Sequence, residues 1–110
     1  MENYNRIVKD EWGTHYYLND KLHRIDGPAK EWNSGSKSWY QNDKLHRING
    51  PAIEYNNGHK EWFQNGLRHR TDGPAVEYFD GYKAWYYEDK YIKCNSQKEF
   101  ERYIKLKLFW

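Results

Sequence analysis

The apolar positions of this chain fall in short aromatic runs set apart by turn residues, and the pattern returns with a constant step of 23 residues. Trp39, Trp62 and Trp85 recur at that step, with Tyr16 in the equivalent place one unit earlier. Glu31, Glu54 and Glu77 do the same, each followed by an aromatic ring at Trp32, Tyr55 and Tyr78. Between these runs the stretch His-Arg-Ile-Asp-Gly-Pro-Ala, beginning at His23, returns at His46 and again at His69 with few changes. A fixed period of this size marks one supersecondary unit copied along an axis. Any site built from such units is expected to be a row.

Turn chemistry is equally regular. Ser34-Gly35, Asn57-Gly58 and Asp80-Gly81 mark one turn, and Asn19-Asp20, Asn42-Asp43 and Asn65-Gly66 mark the next, at places where Gly and Asn tolerate positive φ. The segments between them, such as Lys60-Glu61-Trp62-Phe63-Gln64, are short, aromatic and suited to strands. The spacing predicts a mainly β fold: an elongated, twisted antiparallel meander with two strands per unit over residues 14–93. Asp26-Gly27-Pro28 and its copies Asn49-Gly50-Pro51 and Asp72-Gly73-Pro74 interrupt that pattern. Proline cannot donate to a ladder, so each reads as a bulge within a longer strand, or as a loop joining two shorter ones.

The ends depart from the repeat within what reads as one domain over residues 1–110. Residues 1–13 are a degenerate first unit, in which Glu11-Trp12-Gly13 looks like the Glu-aromatic-turn element and Arg6 to Lys9 like the remnant of a strand. At the far end Ile92-Lys93 stands where His-Arg is expected, and Ser96-Gln97-Lys98-Glu99 is a capping box. A short capping helix is therefore expected from residue 97 to about 107, within a C-terminal cap over 94–110. Phe100, Tyr103, Ile104 and Leu108 would share one face, although Tyr103 to Trp110 also alternates as a strand would.

Composition sharpens this picture. Aromatics make up 19% of the chain and aliphatics are scarce, so rings must supply most of the buried area, which favours a thin aromatic-lined sheet. Eighteen Lys and Arg against 16 Asp and Glu leave a net charge of +2 with both signs interspersed. That implies no polyanion-binding face, and nucleic acid is not expected as a partner. One cysteine, Cys94, cannot build a disulfide framework, and no apolar run approaches the ~20 residues of a membrane span. A cytoplasmic protein without a membrane partner is the expectation.

The 23-residue step, the Trp-x-x-Asn-Gly type of turn, the following His and the glycine after it resemble the membrane occupation and recognition nexus (MORN) repeat. More closely, Lys-x-Trp-Tyr-x-Asn-x-x-x-His-Arg-x-Asp-Gly-Pro-Ala-x-Glu-Tyr looks like the divergent MORN-like repeat of phages, bacteria and large DNA viruses, over residues 11–93. That resemblance implies successive hairpins forming a binding or assembly surface, with a helical tail. The chain departs from the ordinary pattern in placing Arg24, Arg47 and Arg70 where a glycine is usual, so a lipid-binding role is not carried over.

The His-Arg pairs are the main candidate chemistry. Equivalent side chains in successive units stand roughly 9 to 10 Å apart in a two-strand repeat, whereas a metal holds its His ligands at ~2 Å, so no shared metal is expected from His23, His46 and His69. A structural reading has each His bonding a neighbouring turn and each Arg pairing with Glu31, Glu54 or Glu77 in a ladder, with Trp39, Trp62 and Trp85 packed. A ligand-facing reading has His23, Arg24, His46, Arg47, His69 and Arg70 gripping an anionic group beside the rings of Tyr40, Phe63 and Tyr86, which point to the opposite face from the tryptophans. Both faces of a thin sheet cannot easily be buried, and that aromatic surplus argues for a partner. Nothing in the sequence converges as a catalytic triad or a phosphate loop, so neither an enzyme nor a cofactor is expected. The expectation is a non-enzymatic binding module for a protein partner, one form of which would be a viral or phage inhibitor of a host factor. The alternative is a sponge for an anionic nucleotide or signalling small molecule, completed by a homodimer.

Overall fold

A computed structural model describes residues 6–108 of the chain. They form an elongated antiparallel β structure with extents of 45 × 32 × 19 Å, carrying one short helix at the C-terminal end. A first hairpin joins β1 (Arg6–Lys9) to β2 (Gly13–Leu18), which also pairs with β3 (Lys21–Leu22). One unit runs through β4 (Lys30–Trp32), β5 (Lys37–Ser38), β6 (Tyr40–Gln41) and β7 (Lys44–Leu45). The next repeats it as β8 (Ile53–Glu54), β9 (Lys60–Glu61), β10 (Phe63–Gln64) and β11 (Leu67–Arg68). Then β12 (Val76–Glu77), β13 (Lys83–Tyr87) and β14 (Lys90–Ile92) lead into α1 (Gln97–Leu108). The main sheet runs β1-β2-β4-β5-β8-β9-β12-β13-β14, with β6–β7 and β10–β11 as small flanking hairpins.

Backbone hydrogen bonds explain why the strands look fragmented. The Trp39 N–H donates to the Ala52 carbonyl at 2.8 Å, while the Trp39 carbonyl accepts from the His46 N–H at 3.0 Å. His46 and Ala52 thus oppose the same residue, and residues 47–51 loop out between them. Trp62 repeats the arrangement with Ala75 and His69 at 2.8 and 3.1 Å. The two readings open in the sequence meet here: a loop joins the short strands β7 and β8, which line up end to end opposite residues 37–41. Turns at Asn42-Asp43 and Asn65-Gly66 hold positive φ of 52°, 67°, 52° and 82°, as tight hairpin turns require.

Both ends differ in detail from the sequence reading. Glu11 and Trp12 lie in the β1–β2 turn, where the Asp10 carboxylate accepts from the Trp12 and Gly13 N–H groups, so it is β1 that stands in place of the Glu-aromatic strand. The helix runs to Leu108, and the strand alternative for Tyr103 to Leu108 falls away; residues 109–110 lie outside the described residues. At its start Ser96 Oγ accepts from the Glu99 N–H, and the Glu99 carboxylate reaches back to the Asn95 N–H, which satisfies two otherwise orphaned donors.

The core is thin. Ala29, Ala52 and Ala75, one per unit, are fully buried. Larger apolar residues gather toward the C-terminal end, where Trp85, Ile92 and Phe100 pack together with Tyr87, Cys94 and Ile104 against them.

Candidate functional site

Each unit builds its bulge around one guanidinium. Arg47 lies with its Cζ 3.8 Å from the centre of the Trp39 ring, and Arg70 stands equally close over Trp62, while Arg24 is 4.0 Å from the Tyr16 ring. On the other face of each guanidinium sits the bulge glycine. A Cβ on Gly27, Gly50 or Gly73 would come within 2.9, 3.0 or 2.5 Å of the arginine Cζ. None of these glycines holds positive φ, so close approach to the arginine, not turn geometry, excludes larger residues there. In the plane, Nη1 donates to the carbonyl of Pro28, Pro51 or Pro74 and to the carboxylate of Glu31, Glu54 or Glu77, the latter at 2.7, 3.1 and 2.8 Å. Nε of Arg24 and Arg70 adds Asp26 and Asp72. Burial lowers the Arg24 pKa, but the Asp26 hydrogen bond, Tyr16 and Glu31 outweigh it and hold it above its ordinary value.

The histidines tie one unit to the next. Nδ1 of His23, His46 and His69 accepts from the backbone N–H of Asn42, Asn65 and Glu88 at 3.0, 2.9 and 2.9 Å. Acceptance at Nδ1 leaves the neutral ring's proton on Nε2. Among the described residues no cluster of three or more His, Cys, Asp or Glu is placed to hold a metal ion.

Between successive bulges the surface opens into grooves. One, about 510 Å³, is lined by Arg24, Ile25, Trp39, Gln41, His46 and Arg47 among others. A second of about 510 Å³ has the equivalent lining one unit on except at the position of Arg24, with Ile48, Trp62, Gln64, His69 and Arg70. The predicted Arg row lines these grooves together with His46 and His69, whereas His23 is buried and lines neither, and each guanidinium is already stacked and paired.

The predicted aromatic row on the opposite face is divided. Phe63 is buried beneath Arg68, which bridges to Glu61 at 3.0 Å and lies 5.6 Å from the Tyr86 ring. Tyr40 and Tyr86 are half-buried. Burial first, then Tyr55 and Asp43, push the Tyr40 hydroxyl above its usual pKa. Of this row, only Tyr40 and Tyr86 are open to a partner.

Sequence reasoning missed a cluster along the turn edge of the sheet. His59 stacks on Phe79 at 5.1 Å, meets Tyr78 at 4.5 Å and Tyr55 edge-on at 6.2 Å, and Tyr78 stacks on Tyr82 at 5.3 Å. Phe79 is 70% exposed and Tyr82 52%. In the earlier units the position of Phe79 is held by Asn33 and Asn56, whose amides donate to the carbonyls of Glu11 and Ser34 in the turn before. Phe79 cannot make that link and turns its ring to His59 instead. The readable signal was this break in the repeat.

Cys94 packs beside α1, and burial together with Glu99 raises its thiol pKa, against a smaller lowering by the Ser96 backbone. A thiol held protonated is a poor nucleophile. Among the described residues, no helix is long and apolar enough to cross a membrane. No family model, curated protein or solved structure matches the chain.

Proposed function

We propose that this protein is a non-enzymatic binding module that engages a protein partner through its aromatic turn edge. The observation that carries the reading is the cluster of Tyr55, Tyr78, Phe79 and Tyr82 around the half-buried His59, rings in mutual contact of which these four stay 41 to 70% exposed. Contiguous exposed aromatics are the feature most enriched at protein interfaces, because each ring offers large contact area at small conformational cost. The sheet beneath holds the rings on rigid turns. A role as a viral inhibitor of a host factor rests on the repeat resemblance alone.

The alternative, capture of an anionic nucleotide by the arginine row, has less support. Such a ligand would have to displace Glu31, Glu54 or Glu77 from guanidinium groups that are pinned between an aromatic ring and a glycine. A photo-crosslinking amino acid, benzoylphenylalanine, at position 82 tests the proposal against the same group at position 91, an exposed tyrosine whose ring contact is with Tyr86. The expected result is one polypeptide crosslinked from position 82 and not from 91. Crosslinking from 91 alone, or from neither, would reject the turn edge as the interface.

A further inference from the structure

The helix α1 lies in a third copy of the groove. Moving the two open grooves forward by one repeat step puts Trp85 where Trp39 and Trp62 stand, and Tyr87 where Gln41 and Gln64 stand. Likewise Ile92 takes the place of His46 and His69, and Cys94 that of Ile48 and Thr71. These four residues, closed over by Phe100 and Ile104 of α1, are the apolar cluster at the C-terminal end of the sheet. Gln97 makes a polar contact across this groove. Trp85 Nε1–H donates to Gln97 Oε1 at 2.8 Å, and Gln97 Nε2–H donates to the Thr71 carbonyl at 2.9 Å. One primary amide thus satisfies a donor and an acceptor that face each other across the groove.

At the same repeat positions the open grooves are lined by the equivalent residues. In one the equivalent pair is Trp62 Nε1–H and the Ile48 carbonyl, in the other Trp39 Nε1–H and the Ile25 carbonyl. Among the described residues, neither indole N–H has a hydrogen-bond partner. Asn and Gln are the side chains that offer an acceptor and a donor on one carbon at neutral charge. Neutrality matters here, because the flanking arginines are already matched by Glu31, Glu54 and Glu77, and Asp26 and Asp72 also line the grooves. Ile25 and Ile48, 61% and 73% exposed, stand at the rims and supply apolar surface for the stem of the incoming side chain.

We propose that the grooves over Trp39 and Trp62 are docking sites for a partner protein segment that presents a glutamine, held as Gln97 is held between Trp85 and Thr71. An apolar residue three positions after that glutamine, where Phe100 follows Gln97, meets the isoleucine rim. The open grooves have His46 or His69 where the closed one has Ile92, so the amide bridge transfers more fully than the apolar floor does. This surface is distinct from the aromatic turn edge, and either assignment can fail without the other.

The test is an NMR titration of the ¹⁵N-labelled full chain, following the indole N–H signals of Trp39, Trp62 and Trp85. The probes are a peptide spanning residues 95–107 and the same peptide carrying Gln97→Glu. A carboxylate can accept from the indole but sets a second acceptor against the carbonyl, so it should bind about tenfold more weakly or worse. Expected are saturable shifts of the Trp39 and Trp62 signals with the glutamine peptide, and about tenfold weaker saturation with the Gln97→Glu peptide. Equal response to both peptides would show that the amide is not read, and a stronger response to the Gln97→Glu peptide would make the grooves anion sites; either would overturn the proposal. So would movement of Trp85 alone, which means exchange with α1, or no shift at all. Shifts of Trp39 and Trp62 with protein concentration and no peptide would assign the grooves to a second copy of this chain, against a distinct partner.

Discussion

Replacing Gly73 with alanine should cost roughly 2 to 3 kcal/mol, and the cost should vanish once Arg70 is removed as well. The added Cβ would sit 2.5 Å from Arg70 Cζ and 2.8 Å from Nη1, so the guanidinium must retreat by roughly 1 Å to reach ordinary contact. It has nowhere to go, because the Trp62 ring lies 3.8 Å away on the far side. Moving in the plane breaks the bond to the Pro74 carbonyl, about 1 kcal/mol, and weakens the stack on Trp62, about 0.5 to 1 kcal/mol. The Glu77 pair adds at most about 1 kcal/mol, because Glu77 is a third exposed, and Asp72, 85% exposed, adds little. Urea denaturation measures the effect, and a melting point lower by roughly 8 to 15 °C should accompany it. In the Arg70→Ala background the same alanine meets no guanidinium, and with ordinary φ at residue 73 it should be neutral or slightly stabilising. Gly50→Ala should cost less, since its contact distance is 3.0 Å. A Gly73→Ala variant that unfolds like the parent, or that loses the same stability in both backgrounds, would refute the arginine sandwich.

Two further outcomes follow from the same geometry. Because burial and Glu99 raise the Cys94 thiol pKa, its alkylation by iodoacetamide should reach half-maximal rate above the ordinary thiol range of about 8.5, and a midpoint at or below that value would contradict the packing. Among the described residues β1 pairs only with β2, and Ile7 is half exposed on that edge strand, so two chains should pair through β1; light scattering should then give twice 13.5 kDa, falling to the monomer in Ile7→Pro, and a parent mass of 13.5 kDa would exclude the pairing.

What the sequence disclosed were relationships contained within a unit or repeated between units. Arg47 and Glu54, seven positions apart, and His46 with its neighbouring turn recur in three copies, and identical chemistry at a fixed period leaves few pairings open. The start of α1 was legible because a cap is local chemistry. The turn edge was not. His59, Phe79 and Tyr82 come together across units at positions the repeat does not keep, so a consensus built on the invariant residues passes over them. The role of Gly27, Gly50 and Gly73 was hidden for another reason: glycine beside proline suggests a turn, whereas here it makes room for a guanidinium. In a repeat of this kind the invariant residues hold the stack together, and the departures from it mark the places where the copies do different things.

The division between a structural arginine row and a binding aromatic edge is tested most directly by crossing two variants with two readouts. Arg47→Ala and the pair Phe79→Ser with Tyr82→Ser would each be measured for melting temperature and for capture of the polypeptide that crosslinks at position 82. Arg47→Ala should melt well below the parent yet retain capture at temperatures where it is folded, while the aromatic pair should melt like the parent and lose capture. Melting unchanged with capture abolished in Arg47→Ala would contradict the account and return the arginine row to ligand binding.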